Sequence, residues 1–184
     1  MHYEIVDFVI DIVQNSCEAG ASLVELRIDE DGAGIGFEVR DNGKGMDALE
    51  QAKALDPFVT DGIKHPGRKV GLGLPFLKQA LEQSAGSFRL ESEKGSGTKL
   101  SFRFDTGNLD CPPLGDLVGM MVTVLCMPGP EEMLISRTRD GYSYSLCKSE
   151  LIEALGNLEE VSSLVLLKEY VRSQEKEGEE LWQG

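Results

Sequence analysis

The sequence predicts an α/β two-layer sandwich, in which a mostly antiparallel sheet is covered on one face by helices, followed by a small α+β appendage. Apolar residues recur at i, i+3, i+4 and i+7 in residues 5–13, which is the pattern of an amphipathic helix. Apolar and polar residues alternate in residues 23–29 and 35–41, and again in 88–92 and 98–104. This alternation predicts half-buried antiparallel strands, and therefore a sheet with one solvated and one helix-covered face.

The other elements of the first part of the chain lie between the two strand pairs. Residues 47–55 are a short helical candidate, and residues 72–85 carry an apolar stripe that predicts a longer helix. Residues 46–70 contain several Pro and Gly residues and little helical pattern. A connection of this length inside a compact domain is typical of a mobile lid.

We expect a boundary after residue 107, so that residues 1–107 form one domain and residues 108–184 an appendage of unknown function. Pro112 and Pro113 are expected to open a helix over residues 114–127, although the Val and Met content also permits a strand. The rest of the appendage is predicted as a hairpin and two helices: strands 133–139 and 142–146 around Asp140-Gly141, a helix capped by Ser149 and ending at Leu155, and a helix over residues 162–176 before an acidic tail.

Charge and cysteine usage exclude several functional classes. The 184 residues include 18 Lys and Arg against 32 Asp and Glu, which gives a formal net charge of −14. We therefore expect neither nucleic acid nor a membrane as a partner. Cys17, Cys111, Cys126 and Cys147 are too widely separated for a zinc motif. Without a signal peptide or an apolar run long enough to cross a bilayer, the protein is expected to be cytoplasmic, with reduced thiols.

Three polar or glycine-rich clusters lie where the predicted elements begin or end. Asp11 and Asn15 lie one turn apart on a polar edge of the first helix. Asp41-Asn42-Gly43-Lys44-Gly45-Met46 follows the second strand, and Gly71-Leu72-Gly73-Leu74 leads into the helix of residues 72–85. Taken singly, such clusters are commonly a solvated edge, a turn and a helix cap.

In this order and spacing, the clusters resemble the motifs of the GHKL superfamily, which comprises gyrase B, heat-shock chaperones, histidine kinases and MutL. Residues 11–21 resemble its N box, 41–46 its G1 box, 57–60 the kinase F box, 71–74 its G2 box, and 95–98 the Gly-Thr of its last strand. The resemblance covers residues 4–104. It implies the Bergerat fold, with a mixed sheet, and binding of ATP or ADP with Mg²⁺.

The resemblance also implies roles for individual residues. Asn15 would bind the Mg²⁺ that bridges the phosphates, and Asp41 would accept the adenine amino proton. The other implied nucleotide-binding residues are Ala19, Gly43, Lys44, Gly45, Met46, Gly71, Leu72, Gly73, Leu74 and Thr98. Glycines allow backbone amides to approach phosphate oxygens, and a helix start offers unpaired N–H groups. The basic residues Lys44, Lys64, Arg68 and Lys69 suit a polyphosphate.

Asp11 is the candidate catalytic residue. Many members of the superfamily place Glu four residues before the magnesium-binding Asn, where it acts as a general base, whereas sensor histidine kinases usually have Asn there. The Asp11 carboxylate lies one turn from Asn15 and faces the same groove, so it can take this role although it is one methylene shorter.

Three functions follow from the resemblance. The first is a stand-alone regulatory kinase or phosphorylation switch, similar to the small anti-sigma-factor kinases, with a protein partner or phosphoacceptor. The second is a slow ATPase that cycles its lid and dimer contacts, similar to MutL, and the third is a non-catalytic nucleotide sensor. We expect that the chain is not a complete sensor histidine kinase, because no helical hairpin with a phosphoacceptor histidine precedes residue 4. A homodimer is expected by analogy alone.

Overall fold

The computed structural model describes residues 4–58 and 73–182, and these residues form helices on one side of a single sheet. Their elements, in chain order, are α1 (Ile5–Glu18), β1 (Leu23–Asp31), β2 (Gly34–Asp41), α2 (Ala48–Ala54), α3 (Gly73–Gln83), β3 (Ser87–Glu93), β4 (Gly97–Asp105), α4 (Leu117–Leu125), β5 (Glu132–Arg139), β6 (Tyr142–Cys147), α5 (Lys148–Leu155) and α6 (Val161–Trp182).

The sheet has six strands in the order β3-β4-β2-β1-β5-β6. Every neighbouring pair is antiparallel except β1 and β5, which run parallel. The predicted α/β class, with a mixed and mostly antiparallel sheet, is confirmed.

The core lies between the sheet and the helices. Alternate residues of β1 and β2 are buried on the helix-covered face, where they meet the apolar stripe of α1, while Glu25 and Arg27 are partly or fully exposed. Phe37 and Phe102 stack on this face with ring centroids 5.2 Å apart. Such apolar burial is the main stabilising contribution to the fold.

The segment after residue 108 continues the same sheet and core. The β5–β6 hairpin pairs with β1, and the buried residues of α4 belong to the same apolar cluster as those of α1. Asp140 and Gly141 both have positive φ, 44° and 91°, as a two-residue hairpin turn requires. The predicted boundary at residue 107 therefore lies inside a continuous sheet, and a separate role for residues 108–184 stays a prediction.

The helix predicted to begin at Leu114 begins instead at Leu117, and the expected opening by Pro112 and Pro113 is wrong. The carbonyl oxygens of Pro113 and Leu114 accept hydrogen bonds from the first two N–H groups of α1, at 2.9 and 3.1 Å. Gly115 then has φ +86°, which interrupts any helix. Asp116 caps α4 by accepting the Gly119 N–H at 2.8 Å.

The capping role predicted for Ser149 is also wrong. Helix α5 starts one residue earlier, at Lys148. The Ser149 N–H donates to the Glu132 carboxylate at 3.2 Å, and the same oxygen accepts the Met133 N–H at 2.9 Å. A residue distant in sequence therefore supplies the acceptor expected from a local cap.

The last helix is longer than predicted and includes the acidic tail, since α6 runs to Trp182. Polar contacts hold it to the sheet. Arg137, 1% exposed, donates to Glu30 and to Glu175 on α6, and the Tyr144 hydroxyl donates to Glu175 at 2.6 Å. Burial and the adjacent Glu175 carboxylate raise the pKa of Tyr144 far above its usual range. Within the described residues, no helix is both long and apolar enough to cross a membrane.

Candidate functional site

The Asp41 carboxylate is the centre of the candidate site. It lies at the end of β2 and is 8% exposed. Its Oδ2 accepts the Ser16 hydroxyl of α1 at 2.7 Å, and its Oδ1 accepts the Gly43 N–H at 2.8 Å. A carboxylate oxygen can accept two hydrogen bonds, so within the described part of the chain each Asp41 oxygen has one acceptor position left. Helix α1 and the turn after β2 thus fix a buried acceptor group.

The turn after Asp41 packs against the end of α1. A Cβ built on Gly43 would lie 2.9 Å from Ala19 Cβ, closer than side chains normally approach. The Lys44 N–H donates to the Ala19 carbonyl at 3.1 Å, and the Lys44 carbonyl accepts the Gly95 N–H at 2.7 Å. The Lys44 backbone therefore joins α1 to the β3–β4 turn, while its side chain is exposed.

Gly45, Met46 and Thr98 lie together beside Asp41. Gly45 has φ +63°, and a Cβ there would overlap a backbone carbonyl of β3, so only glycine fits. The Met46 N–H donates to Ser92 Oγ at 2.8 Å, and that hydroxyl contacts Thr98 Oγ1 at 2.8 Å. Thr98 is the β4 residue paired with Asp41. Asp41, Met46 and Thr98 are thereby positioned by adjoining strands.

The polar edge of α1 meets the beginning of α3. Asp11 and Asn15 are both exposed on this edge. A Cβ on Gly73, the first residue of α3, would lie 3.0 Å from Asp11 Oδ2, so the α3 backbone approaches this carboxylate closely. The first N–H groups of a helix have no intrahelical partner and attract anions. Leu74 is half-buried and packs against the core.

Several predicted features lie outside the described residues. Phe58 is 93% exposed and is the last described residue of the motif at 57–60. The predicted residues outside the described part are Val59, Thr60, Lys64, Arg68, Lys69, Gly71 and Leu72. The predicted lid and half of the 71–74 motif are therefore untested.

Charged groups next to the turn stabilise its far end. Asp47 follows Met46 and caps α2; the Glu50 N–H and the nearby Lys94 ammonium lower the pKa of this carboxyl. Hydrogen bonding to Asp47 in turn raises the pKa of Lys94.

On α1, burial raises the pKa of the Cys17 thiol, so this cysteine is less ionised than an ordinary thiol.

The donor chemistry fits a Mg²⁺ ion bound mainly by phosphates. Mg²⁺ prefers oxygen ligands and keeps several waters, so a protein site often supplies only one or two side chains. The exposed Asn15 amide offers one such oxygen on the edge that faces the start of α3. Among residues 4–58 and 73–182, no group of three His, Cys, Asp or Glu side chains is placed to hold a metal ion.

Comparison with known proteins identifies the family. A family model described as "Histidine kinase-, DNA gyrase B-, and HSP90-like ATPase" matches residues 4–108. The chain belongs to this ATPase family. The match ends close to the end of β4, so α4 and all later elements lie outside it. The resemblance inferred from the sequence motifs is thus confirmed.

Individual relatives of this ATPase-family chain are much longer proteins. It is 36% identical over 95 residues to the DNA mismatch repair protein MutL of Gemmatimonas aurantiaca, covering 49% of this chain and 16% of that protein. It is 30% identical over 82 residues to the sensor histidine kinase RcsC of Escherichia coli, covering 44% and 9%. Among solved structures, the catalytic domain of the histidine kinase ThkA matches with TM-score 0.41 and 18% identity, covering 54% of this chain and 64% of that one.

Ser16, Ser92 and Asn42 have positioning roles in the candidate site that the sequence motifs did not indicate. Ser16 and Ser92 make the hydrogen bonds given above. Asn42 Oδ1 accepts the N–H groups of Ser22 and Leu23, each at 3.0 Å, and so ties the turn to β1. For Ser16 a signal existed, because it continues the apolar face of α1 after Ile12 and Val13, where a buried hydroxyl needs a partner.

Proposed function

We propose that the chain binds Mg-ATP around Asp41 and acts as a regulatory kinase that transfers the γ-phosphoryl group to a hydroxyl of a protein partner. The observation that carries the proposal is the buried Asp41 carboxylate, held by Ser16 and the Gly43 N–H with acceptor positions to spare. A rigid, partly unsatisfied acceptor suits the amino group of adenine, since a buried acceptor gains most from a fitting donor.

The two ends of the site would hold the two ends of the nucleotide. Near Asp41, Gly43 and Gly45 let the turn pack directly against Ala19 and the β3 backbone, where no Cβ would fit, and this packing would hold the turn beside the adenine base. At the other end, the first N–H groups of α3 would receive phosphate oxygens. Asn15 would hold Mg²⁺, which would supply charge neutralisation to the phosphates when bound.

Asp11 would act as the general base. In the proposed transfer, its carboxylate accepts the proton of the acceptor hydroxyl while the hydroxyl oxygen bonds to the γ-phosphorus. The bond from that phosphorus to the β,γ-bridging oxygen breaks, and ADP leaves. The close approach of Gly73 to Asp11 Oδ2 supports this role, because it places the carboxylate beside the helix start that would bind phosphate.

Binding is tested by calorimetric titration with Mg-ATP. Asp41→Asn removes the charged acceptor, and a hydrogen bond to a charged group contributes about 1.5–3 kcal/mol, so affinity should fall by roughly 10- to 150-fold. Asp29→Asn is the matched control, since Asp29 is an exposed carboxylate of β1. Equal affinities for wild type and Asp41→Asn would refute the assignment of Asp41.

Catalysis is tested by transfer of label from γ-labelled ATP to proteins of a cell extract. The kinase proposal expects labelling that Asp11→Asn abolishes while calorimetry still detects nucleotide binding. ADP formation by the purified protein alone, lost in Asp11→Asn, would instead favour a slow ATPase. Nucleotide binding with neither labelling nor turnover would leave only a nucleotide sensor and would reject a catalytic role for Asp11.

A further inference from the structure

Strand β6 forms one edge of the sheet, and a cavity opens along it. In the strand order of residues 4–58 and 73–182, β6 has β5 on one side and no strand on the other. A cavity of about 580 Å³ lies between this edge, α5 and α6. It is three strands away from β2, which carries Asp41, and neighbouring strands are about 4.8 Å apart. The cavity is therefore separate from the candidate nucleotide site.

The edge of β6 offers unpaired main-chain groups. Arg139 pairs with Tyr142 across the two-residue turn, so this pair exchanges both hydrogen bonds and every second pair after it does the same. Ser143 and Ser145, which fall between these pairs, direct their N–H and C=O groups outward. Within the described part of the chain, neither makes a backbone hydrogen bond on that side, and both residues are exposed. Such an edge can accept another strand.

The cavity floor is apolar and partly open to solvent. Leu146, Leu151 and Leu155 line it from β6 and α5, and Leu166 and Tyr170 line it from α6. Leu166 is 50% exposed and Tyr170 43% exposed. Large apolar side chains that surround a cavity beside an open strand edge are typical of a site where a peptide side chain inserts.

The rim of the cavity is acidic. Glu150 of α5 and Glu169 of α6 both line it, and none of the described Lys and Arg residues does so. The whole chain carries a net charge of −14. A second copy would bring equal charges together at this edge, whereas a basic segment would be attracted to it. Charge complementarity therefore favours a basic segment of a partner protein over a second copy of this chain.

We propose that the β6 edge binds an extended segment of a partner protein, in which a large apolar side chain is flanked by lysine or arginine. The segment adds a strand to β6 through Ser143 and Ser145. Its apolar side chain enters the cavity beside Leu166, and its basic side chains pair with Glu150 and Glu169. This inference goes beyond the nucleotide site and does not depend on nucleotide binding.

The test is selection of random linear peptides on the intact chain, followed by fluorescence anisotropy with the selected peptides made synthetically. We expect selected peptides in which an apolar residue lies among Lys or Arg. Leu166→Ser should weaken their binding at least about tenfold, and the double change Glu150→Gln, Glu169→Gln at least about fivefold at low salt. The matched control is Val161→Ser, since Val161 is a 77% exposed residue of α6 outside the cavity and should change binding less than about twofold.

Three outcomes would overturn the proposal. The first is that no selected peptide distinguishes Leu166→Ser from Val161→Ser. The second is that the bound peptides are acidic, or carry apolar residues at helical spacing. The third is a dimer in sedimentation that Leu166→Ser dissociates, which would make a second copy the occupant. Because the altered side chains are at least partly exposed, thermal unfolding should show that all variants remain folded.

Discussion

Ser16→Ala tests whether α1 positions the carboxylate of the candidate site. The change removes the hydroxyl that donates to Asp41 Oδ2 at 2.7 Å, and the two residues are 5% and 8% exposed. A hydrogen bond to a charged acceptor contributes about 1.5–3 kcal/mol, and little water can replace it at this burial. We expect a loss of about 2 kcal/mol in the free energy of unfolding, and weaker Mg-ATP binding because Asp41 is less well held.

Urea unfolding and calorimetric titration measure the two effects. Ser163→Ala is the matched control, because Ser163 is a buried helical serine, 3% exposed, whose hydroxyl donates to a neutral carbonyl, that of Leu155, at 2.8 Å. A neutral hydrogen bond contributes about 0.5–1.5 kcal/mol, so this control should be less destabilising. It should also leave nucleotide affinity unchanged, since Leu155 is in α5.

A double-mutant cycle that combines Ser16→Ala with Asp41→Asn measures the coupling free energy between these two side chains. If the carboxylate charge strengthens the hydrogen bond, Ser16→Ala should destabilise the Asp41→Asn protein by about 1 kcal/mol less than it destabilises the wild type. A coupling free energy below about 0.3 kcal/mol, or a Ser16→Ala protein as stable as the wild type, would refute the reasoning.

Other predictions concern the turn after β2, the ion pairs of Arg137 that hold α6 to the sheet, and acid stability. Gly45→Ala should destabilise the protein strongly and abolish Mg-ATP binding in the same titration, because the residue has φ +63° and no room for a Cβ. Arg137→Met should lower the free energy of urea unfolding by about 3 kcal/mol, because it leaves the carboxylates of Glu30 and Glu175 without their buried partner. Burial opposes ionisation of Glu132, but hydrogen bonds from Ser149, Met133 and Cys147 outweigh burial and lower the pKa of this carboxyl. The ionised Glu132 side chain therefore stabilises the fold above pH about 4.5, and this stabilisation is lost as the pH falls through the lowered pKa. Glu132→Gln should flatten that part of the curve of unfolding free energy against pH.

Periodicity predicted the elements whose partners lie close in sequence. The alternation of apolar and polar residues predicted strands β1 to β4, and Asp140-Gly141 predicted the β5–β6 turn. Both signals are local, because each hairpin pairs strands that are adjacent in sequence. The start of α4 could not be predicted this way. Its position depends on hydrogen bonds between α1 and Pro113 and Leu114, about a hundred residues apart, and no local propensity encodes them.

The same distinction applies to the candidate site. The motifs predicted that glycines and acids at fixed spacing cluster, and the structure places Gly43 against both Asp41 and Ala19, while the roles of these residues stay predictions. The supporting contacts were missed, since the bonds from Ser16 and from Ser92 join elements that only the fold brings together. The parallel pairing of β5 with β1 is a long-range contact of the same kind.

The variant Asp41→Asn distinguishes most clearly between a residue that stabilises the fold and a residue that binds nucleotide. A buried carboxylate with two donors and spare acceptor positions is expensive to desolvate, whereas an asparagine of the same shape is neutral and can keep hydrogen bonds to Ser16 and Gly43. If the residue served the fold alone, asparagine would do as well there, since the cost of desolvating the carboxylate offsets what its charge adds to the two hydrogen bonds. Asp41→Asn should therefore be at least as stable as the wild type in urea while losing most of its Mg-ATP affinity. Such a result is expected of a binding residue, which lowers the stability of the fold but is needed for function. A variant that loses stability and binding together would instead make Asp41 a structural residue, and the candidate site would have to be sought elsewhere.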